Sequence, residues 1–184
     1  MKIAHTLCAL VGGIALSSVA IADLQPILEV EPNDTFGTAQ FLGGSELFSE
    51  NGAFSVLGFL AADDVDFYSI DLVPDELYTV SIFDFTPGDP FDNDSILGIF
   101  HPDGTLFLFD DDGGPGFLSS IAFVVPVGGT YAFAVSGFGD DDFVGAHGEK
   151  FDYLMVVSST VPAPGALALL AMAGLVTARR RRRA

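Results

Sequence analysis

The chain has 184 residues, 25 Asp plus Glu, 7 Lys plus Arg and a formal net charge of −18. Its 49% hydrophobic and 12% aromatic residues supply a packed core, so the composition excludes a disordered chain. The acidity excludes a nucleic-acid binder, because no basic surface is present to displace phosphate counterions.

The first 22 residues read as a secretory signal peptide. Lys2 is a minimal charged start, Leu7 to Val19 is apolar, and Ala20-Ile21-Ala22 offers the small residues Ala20 and Ala22 to a signal peptidase. The expected mature start is near Asp23. Cys8, the one cysteine, lies inside the apolar run, so the exported chain has no disulfide to stiffen it.

Residues 23 to 160 form the body, and all 25 acids lie within it against one lysine, Lys150. Such a body repels itself unless cations or salt screen it. Glu29, Glu31, Asn33 and Asp34 place four oxygen-bearing side chains in six residues. On an extended backbone Glu29, Glu31 and Asn33 share one side. Thr35 to Leu42 is expected to form a short helix capped by Asn33 or Asp34. Asp63 and Asp66 flank a turn entering a strand. Calcium takes six to eight oxygens, so these groups are its natural ligands. The competing reading is that 31–34 is only a polar helix start, and the residues leave both open.

Strands are expected at Phe54–Ala61, Val65–Val73, Leu77–Phe85, Ser95–Phe100, Thr105–Asp110, Leu118–Val125, Thr130–Ser136 and Phe151–Ser158, where apolar runs alternate with Gly, Asp and Pro turns. His101-Pro102-Asp103-Gly104 and Pro126-Val127-Gly128-Gly129 read as two of those turns. Eight short strands fit an all-β, antiparallel, jelly-roll-like β-sandwich, with a signal helix before it and an apolar helix after it. Asp110 to Asp112 and Asp140 to Asp142 read as solvated turns, with a second cation at Asp110 to Asp112 as the other option.

The last 24 residues are a separate unit. Val161, Pro162, Ala163 and Pro164 break the preceding strand, Gly165 to Ala178 is an uncharged apolar run, and Arg179, Arg180, Arg181, Arg182 and Arg183 follow at once. Fourteen helical residues span about 21 Å, short of a ~30 Å hydrocarbon core unless flanking residues and snorkelling arginines extend them. The arginines belong on the cytoplasmic side, with the body outside.

This tail resembles the PEP-CTERM sorting signal of Gram-negative bacteria, with Ala163 where that motif commonly has Glu. The resemblance implies a membrane protease of the exosortase type, transient membrane anchoring, cleavage near the motif, and release to the cell surface or beyond. A retained single-span anchor is the alternative. In the body, the order Glu29-Val30-Glu31-Pro32-Asn33-Asp34, Asp63-Asp64-Val65-Asp66-Phe67-Tyr68, Leu97-Gly98-Ile99-Phe100, Asp110-Asp111-Asp112-Gly113 and Gly129-Thr130-Tyr131 is similar to the bacterial pre-peptidase C-terminal domain. That resemblance implies a non-catalytic accessory β-sandwich, often calcium-stabilised, with ligands in the first two of these segments.

Enzymatic readings find little. Only His101 and His147 lie in the body, and no G-x-S-x-G or H-E-x-x-H occurs. The expected function is therefore an exported, surface-sorted, calcium-stabilised component of the envelope or exopolysaccharide matrix, reaching anionic polymer through calcium. A specific carbohydrate- or protein-binding module is the rival. Trp is absent, so stacking on sugar would fall to Tyr68, Tyr78, Tyr131, Tyr153 or some of the 18 Phe.

Overall fold

A computed structural model describes residues 25–49, 52–85 and 93–160. The signal-peptide segment with Ala20 and Ala22, and the tail from Val161 to Arg183, lie outside the described residues. Among the described residues no helix is long and apolar enough to cross a membrane.

Among the described residues, ten strands build two five-stranded sheets. They are β1 (Ile27–Leu28), β2 (Gln40–Gly43), β3 (Ala53–Leu60), β4 (Asp66–Leu72), β5 (Leu77–Asp84), β6 (Ser95–Phe100), β7 (Leu106–Asp110), β8 (Ser120–Val124), β9 (Gly129–Gly137) and β10 (Phe151–Thr160). The first sheet runs β1-β3-β10-β5-β8 and the second β2-β4-β9-β6-β7. The eight expected strands are all present and pair antiparallel with one another. The two further strands are edges, and each pairs parallel, β1 with β3 and β2 with β4. The sheets are therefore mixed.

The helix expected over Thr35–Leu42 is not formed, and β2 takes its last three residues, 40–42. A single 3-10 turn, Phe36–Thr38, is held by Thr35 and Thr38 rather than by Asn33 or Asp34. Beyond it, backbone groups of residues 40–43 pair with β4, which a two-turn helix could not match.

The period of two sets the core. In β10, Phe151, Tyr153, Met155 and Val157 point between the sheets and are buried, while Asp152, Leu154, Val156 and Ser158 point out. A smaller apolar cluster covers the outside of the second sheet. There Phe143, from the loop after β9, stands edge-on to Phe100 at 5.4 Å and joins Phe67, Ala132 and Ala134. Gly98 makes this possible, since a Cβ there would lie 2.5 Å from the Phe143 ring.

Candidate metal centre

The segment after β1 crosses from the edge of the first sheet toward the second, and its acids are set in place as it does so. The Glu29 amide donates to Leu57 O at 3.0 Å, and the Glu29 carboxylate accepts from the Phe59 amide at 2.7 Å, so the side chain continues the pairing where the strand stops. Glu31 accepts from the Asn33 amide at 2.9 Å, and the Glu31–Pro32 bond is cis. Asn33 is fully buried. Its carbonyl accepts from the Phe67 amide, which fixes it to the start of β4, and its Nδ2 reaches Glu29 Oε1 at 3.3 Å. Asp66, the first residue of β4, is fully buried as well.

These residues make two overlapping groups. Glu29, Glu31 and Asp66 form one, and Glu31, Asp34 and Asp64 form the other; within each, ligand oxygens lie within 4.8 Å of one another. Five of the six residues expected from the sequence, Glu29, Glu31, Asn33, Asp34 and Asp66, thus come together. Asp63 does not join them. It takes a left-handed conformation in the turn (φ 61°), and Asp64 occupies the place expected for it. Asp64 is held there by amides of Ala61 and Val65 on its carboxylate. Its two-residue spacing from Asp66 was the available signal, the same alternation that relates Glu29 to Glu31.

Two tyrosines reach the cluster from the core. Tyr153 contacts Asp66 Oδ2 at 2.7 Å, the Tyr153 and Tyr68 hydroxyls lie 2.6 Å apart, and Tyr68 contacts Glu29 Oε1 at 2.9 Å. Gly58 leaves room for them; a Cβ there would fall 2.6 Å from the Tyr153 hydroxyl and 2.9 Å from that of Tyr68. This row has three links but two phenolic hydrogens. A proton on Asp66 completes it: burial first, and then the nearby Glu29 charge, push the Asp66 carboxyl up to about 10. Burial, together with the neighbouring acids, also raises Glu31, and burial with Asp34 raises Asp64. Two buried oxygens, Asn33 Oδ1 and Asp66 Oδ1, have no hydrogen-bond partner. Among the described hydrogen bonds of this cluster, acceptors outnumber donors. An oxygen-seeking divalent cation fits such a donor set.

His147 braces the site from behind. It is buried; its Nδ1 accepts from the Glu149 amide at 3.1 Å and its Nε2 faces Asp64 O at 2.7 Å, so the ring hydrogen sits on Nε2. The other aspartate clusters divide. Asp110 is a turn cap that accepts from the amides of Gly113 and Ser120. Asp94, Asp111 and Asp112 form a third acidic group, across β9 from Asp66 at the same end of the second sheet, with Asp94 pushed up to about 6 by burial and then by Asp111. Asp140, expected in a solvated turn, is buried instead. It accepts from the Ser136 hydroxyl at 2.6 Å and from the amides of Val144 and Gly145 at 3.0 and 2.9 Å. Burial opposes its charge, but those donors outweigh burial and hold its carboxyl below the ordinary range.

Tyr68, Tyr78, Tyr131 and Tyr153 are all core residues, at most 1% exposed, so none presents a face to a sugar. His101 stacks on Phe107 at 4.4 Å, in the expected turn.

No protein-family model matches the chain, and no curated protein matches it. Among solved structures, it is similar to PliG of Aeromonas hydrophila, a periplasmic inhibitor of g-type lysozyme (15% identity, 66% of this chain and 99% of that one, TM-score 0.45). It is also similar to the pre-peptidase C-terminal domain of a Bacillus anthracis collagenase (13%, 66% and 94%, TM-score 0.43). A third is CorA, a surface-associated copper-binding protein of Methylomicrobium album BG8 (12%, 67% and 98%, TM-score 0.41). Likeness at this level assigns neither ligand nor activity to this chain.

Proposed function

We propose that this protein is an exported, non-catalytic β-sandwich stabilised by calcium at the Glu29–Asp34 segment, and that it serves the cell envelope or exopolysaccharide matrix. The observation that carries the metal is the pair of buried, partnerless oxygens on Asn33 and Asp66 amid four further carboxylates. Glu29, Glu31, Asn33, Asp34, Asp64 and Asp66 would hold the ion, which supplies the positive charge the cluster lacks. On this reading the ion displaces the proton of Asp66 and clamps the N-terminal segment to β4. A cation bound only by the folded chain stabilises it by ~2.7 kcal/mol at a hundredfold excess over Kd, in place of disulfides.

Export rests on the sequence: the signal peptide, and the PEP-CTERM-like tail read by an exosortase-type protease. The acidic surface then meets anionic polymer through shared calcium. The experiment is retention of the full chain on a panel of polysaccharides with calcium and with chelator. Calcium-dependent retention on anionic polymers generally supports the matrix role. Saturable binding to one polymer that persists in chelator overturns it in favour of a specific binding module.

A further inference from the structure

The two ends of the sandwich differ in charge. One end carries the turns 73–76, 101–105 and 125–128, which join β4 to β5, β6 to β7 and β8 to β9. β10 finishes there as well, since Thr160 pairs with Leu77 and Leu77 with Val124. The acids described at this end are Glu46, Asp71, Asp75, Glu76 and Asp103; every other described acid, from Glu29 to Asp152, lies toward the opposite end. The metal centre is among them. Glu29 bonds to the backbone of Leu57 and Phe59, which pair with Leu154 and Asp152, six and eight residues back along β10 from Thr160. At ~3.3 Å per residue that is about 20–26 Å away. The end with the turns is apolar at its tips. Leu77, Leu106, Val124 and Val127 are 42%, 47%, 51% and 70% exposed, and Pro74, Pro102 and Pro126 are exposed beside them. A cleft of about 360 Å³, walled by Pro102, Pro126, Val127 and Tyr131 together with His101 and Asp103, opens between two of the turns and keeps that apolar surface accessible.

We propose that this end is a membrane-contact surface: while the tail is inserted in a bilayer, Leu106, Val124 and Val127 rest on the same bilayer and the metal centre points away from it. The proposal rests on the reading of the tail as a membrane-inserted sorting signal. The tether selects the partner. Only Val161-Pro162-Ala163-Pro164 separates Thr160 from the apolar run that begins at Gly165, and four residues span at most ~14 Å fully extended. That is shorter than the distance to the metal centre, so the end from which the tail leaves is the one held against the lipid headgroups. Charge agrees. Lipid phosphates repel the acid-rich end most strongly and turn it outward. The apolar tips enter the headgroup layer, where their burial is favourable and a cluster of carboxylates would be costly. The acid-rich end, with its metal centre, is thereby the one presented to anionic polymer.

The test places a fluorescent label on single introduced cysteines of the full chain, in a Cys8→Ser background. The chain is reconstituted in phosphatidylcholine vesicles with a minor fraction of phosphatidylglycerol, and the reading is quenching by lipids that carry a nitroxide in the headgroup or deep in the acyl chain. A label on Ala171→Cys reports insertion of the tail through the deep nitroxide. With the tail inserted, labels on Val127→Cys and Leu106→Cys should be quenched severalfold more by the headgroup nitroxide than a label on Asp141→Cys at the opposite end. When Val127→Asp and Leu106→Asp are combined, a label on Val124→Cys should lose most of its quenching. An inserted tail with equal quenching at the two ends overturns the proposal and leaves the reading of the tail intact. Quenching at Val124→Cys that ignores the two Asp changes does the same, because the tether alone then holds that end near lipid. An unquenched label on the tail overturns both.

Discussion

Asp66 and Asp140 are both buried aspartates, yet they differ in the feature that decides their chemistry. Asp140 has a donor for each oxygen: a hydroxyl and two amides meet its charge, so the loop folds around an anion that needs nothing more. Asp66 has one phenol, a facing Glu29 and an oxygen with no partner. A carboxylate with enough donors is structural, whereas one with too few is completed by a proton or a cation. Burial alone distinguishes nothing.

The comparison breaks first at Asp140. Asp140→Ala leaves buried donors unpaired and should cost about 3 kcal/mol, equally in calcium and in chelator, by denaturant unfolding. An effect confined to calcium buffer would make Asp140 part of the metal response. Next, calcium should stabilise the full chain by ~2.7 kcal/mol at a hundredfold excess, and Asp66→Asn should remove most of that gain without loss of stability in chelator. A variant that keeps the wild-type calcium response refutes the site. Gly58→Ala should cost about 2 kcal/mol by overpacking, and, because it displaces both tyrosine hydroxyls, should weaken calcium affinity in a calorimetric titration. Unchanged affinity would separate the tyrosine row from the metal.

Per pH unit, the smallest change is the slope of stability with pH. Asp66 has its folded pKa raised to about 10, so its contribution is fully present below the unfolded value and is lost as pH climbs toward 10. In chelator the slope is at most ~1.4 kcal/mol per pH unit, and it should flatten in Asp66→Asn. Asp140 has the opposite sign. Its folded pKa is lowered, so its contribution is present above the unfolded value of ~3.9 and falls away in more acidic solution. Unfolding midpoints measured across pH separate the two.

How much of this was legible in the sequence follows from range. Most of β3 to β10 announce themselves through alternation, because one face is buried, as in Phe151, Tyr153, Met155 and Val157; β6 and β9, buried on both faces, announce themselves as apolar runs between turns. β1 and β2 are short edges whose existence depends on a distant partner, and Thr35 to Leu42 therefore looked helical. Glu29, Glu31 and Asn33 were legible through the same period of two. Asp64 was not distinguished from Asp63, because the backbone of one turn chooses between them. Asp140 was hidden, since its donors come from a loop that closes only in the fold.

β10 has one more consequence, and it is mechanical. It lies in the middle of the first sheet, with eight aligned residue pairs to β3 and eight to β5, and the tail leaves directly from its end at Thr160. A pull on that tail loads both ladders in shear along their length instead of peeling them apart one rung at a time. Traction from whatever grips residues beyond 160 is therefore borne by the best-braced strand of the molecule.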